Sequence, residues 1–358
     1  MRHLCISFVV WGRTFTDILV TDALPSMLAP GNLPSFAYRR MTEVLIITTG
    51  EDEAHIKASA AYERLLRYVP VTFLNFAPAP VQQVVGDMKY VLMTAMHEFM
   101  IKYARLKRAA VMMLTPDILM ADGAMQRIAQ SIDQGKRVMM AHAPMLDRDG
   151  FMPEIARWLE AEGRGDDHRH GIIAVPARAM MGMAMRHLHP MTFSYFRESD
   201  QFNLFPSFMY WPLGERGLLC RCPHLGPVYF EPENWDAAMF DDSFRTIDQK
   251  FIMDACPDLA SYDFCSDSDE FLYVEIGPSS KQYPIPDRHF ASPADFAVFA
   301  RRELNAFNLR FFREKVWLHD GIDRADYAGI ERESDRFVDQ VMDNLALIER
   351  AERGILRS

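Results

Sequence analysis

Two short acidic segments carry the residue types that bind divalent cations. In the first, Asp117 and Asp122 follow an apolar run from Ala109 to Leu114, and in the second, residues 267–270 read Asp-Ser-Asp-Glu. Carboxylate oxygens on neighbouring side chains are the ligands that Mg²⁺, Mn²⁺ and Ca²⁺ prefer. Each segment is therefore a candidate cation site, and the alternative for each is an ordinary solvated turn.

The sequence around Asp117 gives that residue a specific position. The run from Ala109 to Leu114 lacks polar alternation, which predicts a strand buried on both faces. Pro116 cannot donate to a sheet ladder, so the strand must end before it. An acid just past the carboxyl end of such a strand lies where open α/β sheets bind ligands. Asp117 is thus a candidate ligand residue, unless it only caps the turn.

His224 is a third candidate, at the end of the segment Cys220-Arg221-Cys222-Pro223-His224. A structural zinc site needs four ligands in spaced pairs, and the remaining cysteines supply no second pair. His224 alone could be a metal ligand or a phosphate contact, and the alternative is a hydrogen-bonded core histidine.

Composition and missing motifs exclude several classes of protein. The net charge of −10 over 358 residues argues against a nucleic-acid partner. Neither Gly-x-Gly-x-x-Gly after the first strand nor a P-loop nor Gly-x-Ser-x-Gly occurs, which argues against dinucleotide oxidoreductases, P-loop nucleotidases and serine hydrolases. Five scattered cysteines indicate a reducing cytoplasm, and the chain has no apolar run long enough for a transmembrane segment.

The elements that must position these residues alternate between strands and helices in the first 145 residues. This rhythm predicts an α/β fold with a mainly parallel sheet and helices on both faces. We expect Pro25 to end the first helix early. The predicted strands are Leu4–Trp11, Val44–Thr49, Val71–Phe76, Ala109–Leu114 and Arg137–Ala141, and the predicted helices are Thr14–Leu28, Glu51–Arg67, Val81–Lys107 and Ala124–Gln134.

The rest of the chain is less regular. The pattern of residues 144–170 predicts a loosely structured segment, with Gly163–His168 as a mobile loop. Short strands are expected at Phe208–Leu213, Gly217–Cys222, Pro227–Phe230 and Tyr262–Cys265, and a helix at Thr246–Ala255. A C-terminal helical segment follows, with one helix capped by Ser292 before Pro293 and another over Asp326–Glu352. We therefore divide the chain into residues 1–145, 146–285 and 286–358.

The layout of residues 4–142 resembles that of GT-A-type glycosyltransferases, a Rossmann-like fold. The matching elements are the strand Ile6–Gly12, a strand ending in acids at Leu45–Asp52, the long helix Val84–Lys107 and the strand Ala109–Asp117. The segments Leu24–Ser26, Ala29–Pro34 and Asp267–Glu270 resemble those of bacterial glycosyltransferase-like proteins. One departure is that Thr115-Pro116-Asp117 stands in place of the family's Asp-x-Asp.

The resemblance implies roles for particular residues. It implies that residues 1–145 bind the nucleotide-sugar and that residues 146–285 form the acceptor side of the same domain. A divalent metal, Mn²⁺ or Mg²⁺, would neutralise the leaving diphosphate, and Asp269 or Glu270 would be the catalytic base. The implied nucleotide-sugar contacts are Trp11, Gly12, Arg13, Glu51, Asp52, Lys89 and Asp117, and the implied metal ligands are Asp117, Asp122, His224 and Asp267.

The function expected from this resemblance is transfer of a sugar from a nucleotide-sugar donor to an unknown acceptor, in surface polysaccharide or glycoconjugate synthesis. One alternative is a non-catalytic scaffold or interaction protein with the same fold. A further alternative is a nucleotidyltransferase, which uses a similar sheet and also needs metal. The donor, the acceptor and the oligomeric state stay open at this point.

Overall fold

A computed structural model describes residues 3–77, 88–203, 206–232, 249–280 and 290–355. The strands within these ranges are β1 His3–Val9, β2 Thr42–Thr48, β3 Val71–Asn75, β4 Ala109–Leu114, β5 Ile118–Met120, β6 Val138–Ala141, β7 Met145–Asp147, β8 Met209–Pro212, β9 Gly217–Arg221, β10 Gly226–Phe230, β11 Tyr262–Phe264, β12 Tyr273–Gly277 and β13 Val316–His319. The α-helices are α1 Arg13–Ile18, α2 Leu24–Met27, α3 Gly50–Lys57, α4 Ala60–Leu65, α5 Met88–Lys107, α6 Ala124–Asp133, α7 Arg148–Ala161, α8 Gly165–Arg169, α9 Ala177–Ala184, α10 Gln249–Ala255, α11 Pro293–Glu303, α12 Ala306–Arg313 and α13 Ala328–Ile355.

The main sheet has seven strands in the order β11-β6-β10-β4-β1-β2-β3. β10 is antiparallel to both of its neighbours, and the other six strands run in one direction. The predicted α/β fold with a mainly parallel sheet is therefore confirmed. Because the six strands share a direction, their carboxyl ends lie along one edge of the sheet, which we call the carboxyl edge.

Both faces of this sheet are covered, as the continuous apolar runs predict. Alternate residues of the central strands enter two separate hydrophobic clusters, one on each face. In β1 and β2 one face contributes Cys5, Val9, Leu45 and Ile47, and the other contributes Ile6, Phe8, Val44 and Ile46.

The described residues also form two three-stranded sheets that are separate from the main sheet. The first has the order β5-β12-β7, and the second, β13-β9-β8, is antiparallel throughout. The second sheet packs with helices α11 and α13 around a third hydrophobic cluster that includes Trp211, Phe296, Trp317 and Phe337. The C-terminal helical segment is thus packed against the body of the protein.

The first helix does not end at Pro25, contrary to our prediction. A π-helical turn, Leu19–Ala23, joins α1 to α2, and the Leu24 N–H donates to the carbonyl of Leu19, five residues back. Pro25, which has no N–H to donate, lies two residues after the end of this π-helical turn. The wider turn therefore lets the chain stay helical as far as Met27.

The segment 144–170 is also more ordered than predicted. It contains β7, the fourteen-residue helix α7 and the short helix α8, which occupies the predicted mobile loop. Phe151, Ile155 and Leu159 are fully buried at a spacing of four, which is the helical signal that the prediction missed. Pro153 lies on the exposed side of α7, where water can satisfy the carbonyl it leaves unbonded.

Other differences concern boundaries and short elements. The predicted helix Glu51–Arg67 is two helices, α3 and α4, because Ser59 caps the second one by accepting from the Tyr62 N–H. The Ser292 cap is confirmed. Residues 81–87 and 246–248 of two predicted helices lie outside the described ranges. Among the helices that are described, none is both long and apolar enough to span a bilayer.

Candidate functional site

Four predicted site regions follow strands that end at the carboxyl edge. Gly12 follows β1, Asp52 follows β2, Asp117 follows β4, and Asp267 follows β11. The antiparallel β10 begins at this edge, since Gly226 pairs with Ala141 at the end of β6. Such an edge is where open α/β sheets bind their ligands.

The predicted contacts at the ends of β1 and β2 form a compact structural unit. The carboxylate of Asp52 is buried and accepts from the Gly12 N–H at 2.9 Å and from the Thr49 hydroxyl at 2.8 Å. Gly12 is the N-cap of α1 and has a φ of +83°, a backbone conformation that residues with a side chain rarely adopt. Asp52 therefore fixes the turn after β1 through hydrogen bonds within the protein.

The neighbouring predicted residues differ in exposure. Trp11 is half-buried and packs edge-on against Phe76, whereas Arg13 is exposed and pairs with Asp17 at 3.1 Å. Glu51 is exposed in the first turn of α3. Lys89 lies in the first turn of α5, but its side chain is outside the described part of the chain.

Asp117 and Asp122 lie on either side of β5. The backbone carbonyl of Asp117 accepts from the Ile276 N–H at 2.8 Å, which ties the segment after β4 to β12. The carboxylate of Asp122 accepts from the Gly31 N–H at 2.6 Å. A Cβ atom at Gly31 would lie 2.6 Å from this carboxylate oxygen, so the contact needs glycine there. Asp122 therefore already has a structural partner.

Asp267, Asp269 and His319 form a group that could hold a metal ion. One ligand atom from each residue lies within 4.8 Å of the others. We call this group the Asp-Asp-His group. Of the four predicted metal ligands, all within the described residues, it includes Asp267 but not Asp117, Asp122 or His224. The ring of His224 packs instead near that of Phe299.

Backbone pairing between distant segments brings His319 to the two aspartates. Residue 319 ends β13, and the Ser268 N–H donates to the Trp317 carbonyl at 2.8 Å. The Ser268 hydroxyl accepts from the His319 N–H at 2.9 Å. Nδ1 of His319 accepts from the Gly321 N–H at 3.0 Å, so Nε2 carries the proton of the neutral ring and faces Asp267 at 3.2 Å.

Two arginines balance the charge of the aspartates. Arg178, at the start of α9, binds Asp269 through two nitrogens, at 3.0 and 2.6 Å. Arg324 pairs with Asp267 and lies over the ring of Trp317. Burial alone would raise the pKa of Asp267, but hydrogen bonds from His319, the Asp269 N–H and Arg324 outweigh it and lower the pKa to about 2. Asp267 is thus held as a carboxylate.

A polar cleft of about 540 Å³ opens beside this group. It lies between α6 and the segment that follows Asp267, and Asp122, Asp269 and Glu270 all line it. Arg127 lines the cleft too, with two hydrogen bonds to Asp263 and the Glu270 carboxylate at 3.6 Å. The cleft therefore brings together three of the predicted site residues.

The donor set suits a divalent cation. Two carboxylates and one imidazole are ligands for Mn²⁺ and other first-row metals, with carboxylates preferred by Mn²⁺ and Mg²⁺. Coordination through Nε2 of His319 would require the ring proton to move to Nδ1, which would end the hydrogen bond from the Gly321 N–H. It would also require Asp267 and Asp269 to share or release their arginines. The same side chains thus form either a closed ion-pair network or a metal site, depending on what else binds.

Sequence reasoning missed His319, Arg178 and Arg324. The only local signal for His319 was its place at the end of the apolar run Val316-Trp317-Leu318, followed by Asp320-Gly321. Nothing near Arg178 or Arg324 in the sequence connects them with the aspartates, because the contacts depend on how β13 and α9 pack.

Comparisons with known proteins give the following matches. No protein-family model matches the chain, and no curated protein matches it. Among solved structures, apo mouse xyloside xylosyltransferase 1 is 16% identical over 46% of this chain and 58% of that chain, with a TM-score of 0.26. S. aureus TarS is 11% identical over 87% of this chain and 42% of that chain, with a TM-score of 0.30. The chain thus spans less than two thirds of either protein, and at these TM-scores the likeness supports no assignment of function.

Proposed function

We propose that this protein is a glycosyltransferase that binds a nucleotide-sugar donor beside the Asp-Asp-His group. One observation supports the proposal above all. Asp269 belongs both to a group of three potential metal ligands and to the wall of a polar cleft on the carboxyl-edge side of an α/β sheet. This combination suits a nucleotide-sugar, because a cation can neutralise a diphosphate and polar walls can hydrogen-bond a sugar.

The cleft has the size and chemistry for such a ligand. Its volume of about 540 Å³ falls in the range of about 300–1,000 Å³ that is typical of small-molecule sites. Gln126, Gln130 and Gln134 line one wall, and each amide can both donate to and accept from sugar hydroxyls. Arg127 adds a fixed positive charge.

The charged residues have separate roles in this proposal. Asp267, Asp269 and His319 would hold a divalent cation, which would supply positive charge to the leaving diphosphate. Arg178 and Arg324, adjacent to the same carboxylates, are placed to bind phosphate oxygens when they leave Asp269 and Asp267.

Glu270 is the catalytic base of the proposed reaction. Its carboxylate is exposed and lines the cleft, whereas Asp269 is engaged by Arg178. Glu270 takes the proton of the acceptor hydroxyl as the acceptor oxygen bonds to the anomeric carbon and the nucleoside diphosphate leaves. The donor half would be residues 1–145, the acceptor side residues 146–285, and His319 would come from the C-terminal part.

Thermal unfolding with a panel of UDP-, GDP-, CMP- and TDP-sugars tests donor binding. Each is added with Mn²⁺, with EDTA, and as Mn²⁺ alone. A ligand that binds only the folded protein stabilises it by about 2.7 kcal/mol at a hundred times its Kd. We expect one nucleotide class to raise the melting temperature in a metal-dependent way, and Asp269→Asn to abolish the rise. The exposed Asp326→Asn is the matched control.

Product formation separates an enzyme from a binding protein. Glu270→Gln should keep the donor-induced rise in melting temperature but lose release of the free nucleotide in the presence of acceptor, which is CMP for a CMP-sugar and a nucleoside diphosphate for the others. An absence of any shift across the panel would contradict the proposal and favour the scaffold alternative, in which the arginines pair with the aspartates permanently. Release of pyrophosphate from nucleoside triphosphates would instead favour nucleotidyl transfer.

A further inference from the structure

A second cavity, of about 150 Å³, lies at the carboxyl end of β4. The last residues of β4, two residues of β5, the start of β10 and the rings of Phe271 and Tyr273 form its walls. We call it the β4 pocket. It is separate from the polar cleft, but Phe271 lines both of them.

The walls of the β4 pocket are apolar. None of the described residues that line it carries a charge. Leu114, Met120, Val228 and Phe271 are buried and form its floor, whereas Thr115 is exposed and places a hydroxyl at the rim. A nucleobase, with its ring nitrogens and carbonyls, would leave polar atoms without partners here. The pocket therefore favours an apolar group whose polar end faces outward.

The volume of the β4 pocket limits the size of the apolar group that it can hold. Apolar protein cavities of about 150 Å³ can hold one benzene ring. Met113 and Met120 supply flexible thioethers, which make favourable contacts with aromatic rings. The ring centroids of Phe271 and Tyr273 lie 5.2 Å apart in an edge-on arrangement, so a third ring can pack against these two.

We infer that the β4 pocket binds an aryl group, or an alkyl group of similar size, on the acceptor. This inference rests on the proposed function, because it is the transfer reaction that requires a hydroxyl-bearing second substrate. Phe271 forms a wall of both cavities, so an aryl group in the pocket lies next to the cleft that Glu270 lines, and in this proposal the acceptor hydroxyl enters that cleft.

Benzyl alcohol is the probe for this inference, with glycerol as the hydroxylated but non-aromatic control. Methyl-labelled methionine NMR follows Met113 and Met120 during titration of the full chain, without nucleotide. We expect saturable shifts of both signals with benzyl alcohol and none with glycerol. Ile118→Trp, which fills the pocket from a half-buried position, should weaken binding at least tenfold.

Two further variants test whether misfolding, and not a filled pocket, causes the weaker binding of benzyl alcohol by Ile118→Trp. Thr115→Trp covers the rim from an exposed position and should weaken binding as Ile118→Trp does. Ile330→Trp adds the same ring at a half-buried site of α13, beside a different cluster, and should leave binding unchanged. Equal affinity in all variants, or no saturable shift in the wild type, would overturn the inference.

A transfer assay tests the assignment to the acceptor. With a donor identified by the nucleotide-sugar panel, benzyl alcohol should be a better acceptor than ethanol, and Ile118→Trp should remove that preference. Equal rates for the two alcohols would overturn the acceptor role even if benzyl alcohol binds. Because the NMR titration needs no nucleotide, a failure of donor binding and a failure of the β4 pocket are seen separately.

Discussion

Asp267→Asn is expected to lower the free energy of unfolding by about 2 kcal/mol at neutral pH. The side chain of Asp267 is 16% exposed and accepts from His319 at 3.2 Å and from the Asp269 N–H at 2.7 Å, in addition to its pairing with Arg324. Asparagine keeps the shape of the side chain and one acceptor oxygen but removes the charge. The variant therefore isolates the electrostatic part of these contacts.

The magnitude follows from the pKa of Asp267, which falls from an ordinary 3.8 to about 2 on folding. One pKa unit corresponds to about 1.4 kcal/mol, so the difference contributes about 2 kcal/mol of stability. Because the folded-state pKa is the lower one, this stability is fully present above about pH 4–5 and is lost as the pH falls through 2. At pH 3 about half of it remains.

Urea denaturation in EDTA at pH 7 and pH 3 measures the effect without bound metal. The difference between wild type and Asp267→Asn should be about 2 kcal/mol at pH 7 and about half of that at pH 3. Asp326→Asn, at an exposed position, should differ little from the wild type at either pH. A difference that is the same at both pH values would show that the lost contacts are not ionic. No difference at pH 7 would refute the conclusion that the charged contacts of Asp267 stabilise the folded protein.

Two further predictions concern the C-terminal part. Arg221, which is 1% exposed, pairs with Asp335 and also donates to the Arg313 carbonyl and the Ser334 hydroxyl. Arg221→Ala should therefore cost about 3 kcal/mol in urea denaturation, and Arg221→Met less. A cost below 1 kcal/mol for Arg221→Ala would show that this network does not hold α13. Ser292→Ala removes the cap that accepts from the Asp295 N–H and should cost about 1 kcal/mol, with Ser292→Gly losing only a few tenths; equal losses would exclude capping as the cause.

The central sheet was predictable because its strands are apolar on both faces. β4 is an uninterrupted apolar run, β1 is interrupted only by Ser7 after its first residue, and β2 has polar residues only at its ends. Such runs have few alternatives when Gly or Pro bounds them. The direction of the sheet followed from the alternation with helices. The antiparallel β10 was predicted as a strand, but its insertion between β4 and β6 was not, since no local pattern encodes which strands become neighbours.

The short elements could not be predicted for a related reason. β5 and β7 have three residues each, and the strand with which both pair is β12, more than 120 residues later in the chain. Segments of three residues carry too little periodicity to distinguish a strand from a turn. Helix α7 differs from these short elements, because the spacing of Phe151, Ile155 and Leu159 is a helical signal that the sequence contains although Pro153 lies within the helix.

The candidate site combines a local feature with non-local ones. The pairing of Asp267 with Asp269 is local, because the Asp269 N–H donates to the carboxylate two residues before it and turns both acids to one side. The position of the third member of the group, His319, is not local, because its carbonyl accepts from the Ser268 hydroxyl, 51 residues earlier in the sequence. The sequence therefore identified the two carboxylates but neither the histidine nor the arginines that complete the group.

In the proposed glycosyltransferase, the two arginines determine how metal binding depends on the donor. With Arg178 on Asp269 and Arg324 on Asp267, a cation entering alone competes with two guanidinium groups for the same oxygens. A diphosphate that enters with the cation gives the guanidinium groups an equally charged partner, so the carboxylates are released without leaving a positive charge unpaired. Cation and nucleotide should therefore bind far better together than separately. The arms of the thermal panel with Mn²⁺ alone and with EDTA measure this coupling, which a permanent ion-pair network would lack.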